Sequence, residues 1–167
     1  MTRPPFDPPT EADIAVVSAQ LGRPARNVVG IAARCVCGKP TVVSTKPRLD
    51  DGTPFPTLYY LSHPAATAAI STLEANGVMP ELALLIDETY LAAHESYIAD
   101  RESIEVVDEI AGISAGGMPT RVKCLHALAG HALAAGPGVN LIGDRALELS
   151  GWSPDKCECV DYDEVSA

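Results

Sequence analysis

Asn27-Val-Val-Gly-Ile-Ala-Ala-Arg-Cys-Val-Cys-Gly-Lys-Pro-Thr-Val-Val-Ser-Thr45 decides the fold. Residues 27–35 are rich in Val and Ile and have no polar stripe at helical spacing, so they read as a buried strand. Cys35-Val-Cys-Gly-Lys-Pro40 then reads as the turn, and Pro40 to Thr45 as a returning strand that completes a β-hairpin. Beyond it, Lys46-Pro-Arg-Leu-Asp-Asp-Gly-Thr-Pro-Phe-Pro56 is broken by proline and Asp-Gly and must be a loop. Thr57-Leu-Tyr-Tyr-Leu61 follows as a third strand.

Outward from this sheet the chain turns helical. Four prolines within residues 1–9 prevent helix propagation, so a disordered N-terminus is expected there. Thr10-Glu-Ala-Asp13 has the form of a capping box opening a helix that runs to Leu21. After the third strand, His63 to Asn76 reads as an Ala-rich helix, and Pro80 to about Arg101 as a longer one with Leu82, Leu85, Ile86, Tyr90 and Ala93 on one face. Residues 108–117 are small and glycine-rich, and Pro119 suits a first helical turn of a helix that stops before Gly136-Pro137. A short helix over 144–149 and an acidic, mobile tail over 153–167 complete the reading. The expectation is an α+β protein: a small three-stranded sheet with a β-hairpin, covered by four to five helices, in a single domain over 10–152.

Composition limits the function classes. The 167 residues are 47% apolar, enough for one core. Twelve Lys and Arg against 22 Asp and Glu give a net charge of −10, which disfavours nucleic acid and anionic membrane as partners. No stretch approaches the roughly 18 apolar residues of a membrane span, and Met1 to Pro9 contain no apolar run, so a cytoplasmic protein is expected. Five cysteines in such a chain read as thiols or metal ligands before disulfides.

Two constellations carry chemistry. Cys35, Cys37, His63 and Cys124, with His126 and His131 nearby in sequence, supply the donor types of a tetrahedral zinc site. Cys124 and His126 would lie about 200° apart around a helix, and so could serve one ion only if that helix starts late or if one of them merely supports a ligand from behind. Cys157-Glu-Cys159 offers a second Cys-x-Cys, which makes a four-thiolate site with the first if the tail folds back. The other constellation is Ser114, Gly116, Gly117, Arg121 and Lys123, where a glycine-rich turn runs into a helix N-terminus. With Arg48 and Asn140 it is a candidate site for a small anionic molecule. An enzyme acting on a phosphorylated or carboxylated metabolite would use His126 as general acid or base and Lys123 to stabilise negative charge, with Asp50, Asp51 or Asp144 to orient the ring. A non-enzymatic interaction protein would use the acidic tail and the Tyr59-Tyr60 strand. Against both constellations stands the plain alternative of buried thiols and a tight glycine turn. Gly112-Ile-Ser-Ala-Gly116 matches the nucleophile-elbow pattern of serine hydrolases only formally, because the segment before it is too acidic for a buried strand.

Six blocks together resemble one family: Leu21-Gly-Arg23, Arg34-Cys-Val-Cys-Gly38, Pro47-Arg-Leu-Asp-Asp-Gly-Thr-Pro-Phe-Pro-Thr-Leu-Tyr-Tyr-Leu61, Ser114-Ala-Gly-Gly-Met-Pro119, Arg121-Val-Lys-Cys-Leu-His126 and Gly136-Pro-Gly-Val-Asn140. The chain is similar, over roughly residues 20 to 149, to the domain of unknown function 501 family of actinobacteria. The resemblance implies an actinobacterial cytosolic protein and brings no assigned activity with it.

Overall fold

The computed structural model describes residues 6–161. Its centre is the expected hairpin: β1 (Val28–Arg34) pairs antiparallel with β2 (Pro40–Thr45), and β2 pairs antiparallel with β3 (Tyr59–Leu61), giving the order β1-β2-β3. Every residue of β2 is buried, as a central strand covered on both faces requires. The α+β class and the small three-stranded sheet therefore stand as read. β3 starts at Tyr59 and not at Thr57; at this entry the Leu58 carbonyl still accepts the Thr45 N–H at 3.0 Å, while the Leu58 N–H donates to the Tyr97 hydroxyl at 2.7 Å.

Six α-helices surround the sheet among the described residues: α1 (Glu11–Leu21), α2 (Pro64–Ala75), α3 (Met79–Ala83), α4 (Glu88–Glu102), α5 (Leu125–Ala135) and α6 (Leu141–Ser150). The capping box at α1 is formed, with the Asp13 N–H donating to Thr10 Oγ1 at 3.0 Å and the Thr10 N–H donating back to Asp13 Oδ2 at 3.1 Å. Contacts with the sheet begin before Thr10. Phe6 packs edge-on against Tyr59 with ring centroids 5.5 Å apart, and Asp7 bridges to Ile31 at the free edge of β1.

The single helix expected from Pro80 to Arg101 is two helices. Asp87 accepts the Thr89 N–H at 2.9 Å and so starts α4 afresh, while Leu84 and Leu85 stand exposed in the turn before it. The helix expected from Pro119 begins only at Leu125. Residues 116–124 instead form a compact loop, in which the Gly117 carbonyl accepts from Thr120 and Arg121 and the Gly116 carbonyl from Lys123 and Cys124. Gly117 has φ 95°, and a Cβ there would lie 2.6 Å from the Arg121 carbonyl oxygen, so the loop closes only on glycine.

The main core lies between the sheet and α5, whose Leu125, Leu128, Ala129, Gly130, His131, Ala132 and Ala135 are all buried. Gly130 lets the helix settle on β3, since a Cβ there would sit 3.0 Å from the Tyr59 carbonyl oxygen. His131 stacks on Tyr59 at 5.6 Å and takes the edge of Tyr97 at 5.1 Å, which makes it part of the core. Among the described residues no helix is long and apolar enough to cross a membrane.

Candidate metal centre

The β1–β2 turn is tight. The Cys35 N–H donates to the Lys39 carbonyl and the Gly38 N–H to the Cys35 carbonyl, both at 2.8 Å, with Gly38 at φ 94°. This geometry leaves Cys35 buried under the turn and Cys37 exposed on its outer side. Arg34 fixes the turn from beneath, donating to the Gly38 carbonyl at 2.9 Å and gripping both carboxylate oxygens of Asp13 at 2.9 and 3.0 Å.

The chain beyond α6 returns to this turn. Gly151 ends the helix in the left-handed conformation, and Trp152 packs against His63 with ring centroids 5.2 Å apart. The Pro154 carbonyl then accepts the Val36 N–H at 2.9 Å. A short turn, with the Asp155 N–H on Ser153 Oγ at 3.1 Å, delivers Cys157 and Cys159 over Cys35 and Cys37.

All four sulfurs lie within 4.8 Å of one another, and Cys37 and Cys159 Sγ are 3.5 Å apart. A disulfide would need about 2.05 Å, and all four thiols are free. A tetrahedron of Zn–S bonds of about 2.3 Å has edges of about 3.8 Å, which matches the observed spacing. The donor set also fits chemically. Burial pushes the Cys35 and Cys159 thiols up, so that without a cation they resist ionisation. Cys37 is partly desolvated, but the Lys39 backbone N–H and the sulfurs of Cys159 and Cys157 outweigh this and hold its thiol down to about 7. A dication among the four sulfurs would supply the positive charge that the Cys35 and Cys159 thiols lack.

His63, expected as a ligand, stands beside the cluster. Its Nδ1 accepts the Ala66 N–H at 3.4 Å as the N-cap of α2, so the ring proton sits on Nε2, which faces Cys159 Sγ at 3.2 Å. Burial holds its pKa below the usual imidazole value, which favours a neutral ring with its Nε2–H directed at the Cys159 sulfur. Cys124, the other expected ligand, belongs elsewhere: it groups with Glu74 and His126, their polar atoms within 4.8 Å of one another. Cys124 precedes the first turn of α5 in extended geometry, and this late start brings it to His126. The carboxylate that orients His126 is Glu74, at 3.2 Å from Nδ1, in place of the three aspartates considered from the sequence.

The residues of the anion constellation are held apart by other commitments. The N-terminus of α5 is taken by Glu74, which accepts the Leu125 N–H at 3.0 Å. Ser114 is buried and bonded to His94 Nδ1 at 2.7 Å, after a 3-10 turn (Asp108–Ile110) where a nucleophile elbow would need a strand. Arg48 is paired with Glu109 at 2.8 Å, and Asn140 caps α6 by accepting the Gly143 N–H at 2.9 Å. Gly116 and Gly117 serve the loop closure described above, and Arg121 and Lys123 are exposed.

Fold and centre together define a small α+β protein with a four-thiol cluster that ties its C-terminal segment to its hairpin turn. The chain belongs to DUF501, a family of proteins of unknown function, whose model matches residues 31–148. Comparison with curated proteins and with solved structures gives no match.

Proposed function

We propose that the protein binds one zinc ion through Cys35, Cys37, Cys157 and Cys159, and that the ion is structural. The observation that supports this most strongly is the convergence of two Cys-x-Cys pairs, with Cys37 and Cys159 122 residues apart in sequence, on one point at tetrahedral spacing. Four protein thiolates close the coordination sphere and leave no position for water or substrate, which is the pattern of a structural and not a catalytic zinc site. The Nε2–H of His63 would offset part of the negative charge on Cys159. The reading also favours a reducing compartment such as the cytoplasm, where thiols remain free.

Protein purified without oxygen, chelator or a histidine tag should contain about one zinc per chain by elemental analysis. Cys159→Ser and Cys37→Ser should each lose most of it, and Cys124→Ser should keep it. Iron in place of zinc would show in the visible spectrum and would change the metal but keep the site. Protein that takes up neither metal on anaerobic reconstitution would end the proposal.

A further inference from the structure

We infer that Cys124, His126 and Glu74 form a second reactive centre, in which Cys124 is a nucleophile toward small uncharged acyl esters or thioesters. The centre shares no residue with the four-thiol cluster, so it stands or falls separately from the metal reading. Glu74 is anchored by the Leu125 N–H at 3.0 Å, and its other oxygen meets His126 Nδ1 at 3.2 Å. On the far side of the ring, Nε2 lies 3.3 Å from the Thr67 carbonyl and 3.0 Å from Ser71 Oγ. A carboxylate can only accept, so Nδ1 carries a proton and donates to Glu74, while Nε2 faces the Thr67 carbonyl, an acceptor, and the Ser71 hydroxyl, which can take either role. Cys124 raises the imidazole pKa against the cost of burial, and Glu74 adds to this. In return His126 lowers the Cys124 thiol, again against burial, and the Ala127 backbone N–H adds to the effect. The sulfur, the ring and the carboxylate lie within 4.8 Å of one another, and both shifts favour the thiolate–imidazolium form of the pair, the arrangement that makes a cysteine nucleophilic.

A place for a substrate lies beside it. A cleft of about 270 Å³ between the edge strand β3 and the N-terminal ends of α2 and α5 is lined by Cys124 and His126 together with Thr57, Tyr60, Leu61 and Thr67. Apart from the Cys124–His126 pair its walls carry no charged side chain, which suits an uncharged acyl group. In the first step the Cys124 sulfur attacks the acyl carbon and forms an S–C bond. The bond from that carbon to the leaving oxygen or sulfur breaks, and the imidazolium proton of His126 goes to the leaving atom. In the second step water attacks the thioester carbon and gives its proton to the neutral imidazole. The S–C bond breaks, releasing the carboxylic acid and restoring the thiolate and imidazolium.

The test uses full-length protein loaded with zinc, and p-nitrophenyl acetate as the probe. The expected result is a first-turnover release of about one nitrophenolate per chain, with the acetyl group found by mass spectrometry on the peptide containing Cys124. Cys124→Ala should abolish the burst. His126→Gln should slow acetylation of Cys124 roughly tenfold or more near neutral pH. It should also move the pH profile of that acetylation upward, the other titratable groups acting on the sulfur being Glu74 from α2 and Tyr97 from α4, with Tyr59 and Tyr60 from β3 lining the same cleft. Glu74→Gln, a positioning change, loosens the ring but also removes a carboxylate that holds the thiol up, so it should slow acetylation of Cys124 with a smaller upward shift of the profile than His126→Gln. Circular dichroism confirms that each variant is folded. The inference is overturned if Cys124 of the wild-type protein is acetylated no faster than it is in the urea-unfolded chain, or if folded His126→Gln reacts at the wild-type rate.

Discussion

Arg34 shows how much one side chain can organise here. Its guanidinium reaches Asp13 on α1, Asp7 in the N-terminal segment at 3.0 Å and the Gly38 carbonyl in the cysteine turn. The paired guanidinium is the main reason that the Asp13 carboxyl is held down to about 2, with the Thr10 N–H helping and partial burial opposing. Because the folded value lies below the unfolded one, the associated stability is present above pH 4 and is lost as pH falls through about 2. Screening at a partly exposed pair keeps the contribution to about 1 kcal/mol. Asp13→Asn should therefore lower stability at pH 7 by about that amount, and the gap from wild type should close in denaturant melts repeated near pH 2. Arg34→Ala should cost more, about 1–3 kcal/mol, because it leaves Asp13 and the Gly38 carbonyl without their donor. It should also weaken zinc retention, measured by competition with a chromophoric chelator, since the turn that presents Cys35 and Cys37 loses its support.

Among the elements, the crossing of α5 and α6 is the least tolerant of change. A Cβ at Gly143 would overlap the Leu128 carbonyl and press on Ala132, so Gly143→Ala should force the helices apart and cost about 1–3 kcal/mol, read as a lower thermal midpoint. Here also the limits of reading the sequence show. The hairpin, its Cys-x-Cys turn and the capping box at Thr10 were legible because each is encoded by neighbours in the chain. The start of α5 was not, because Pro119 is a sound helix-start signal and only the packing of residues 116–124 overrides it. Glu74 was invisible as a partner of Leu125 and His126 because it lies 51 residues before Leu125, on another helix. The break before Asp87 had a local signal in Asp87-Glu-Thr89, a helix-start pattern outweighed by the apolar periodicity running through it. The four-thiol cluster was legible as a conditional pairing of two Cys-x-Cys motifs; what the sequence lacked was the Pro154 contact that folds the return.

For the whole molecule, the C-terminal return is the part that the proposed ion would hold in place. Trp152 belongs to the main core, whereas residues 155–158 are exposed and include Cys157 of the four-thiol cluster. Removing zinc should leave the helices and sheet folded, with little change in far-ultraviolet circular dichroism. Trypsin should then cut after Lys156 markedly faster than in the metal-loaded protein; equal rates would mean that the segment holds without metal. The placement of the thiols also has a consequence for biosynthesis. Cys35 and Cys37 leave the ribosome long before Cys157 and Cys159, and until the later pair emerges they offer only half a coordination sphere. If the four thiols hold an ion as proposed, capture must wait until residue 159 has emerged, and a nascent chain that stalls after α6 would fold its core yet leave the return to the hairpin unsealed and open to proteolysis.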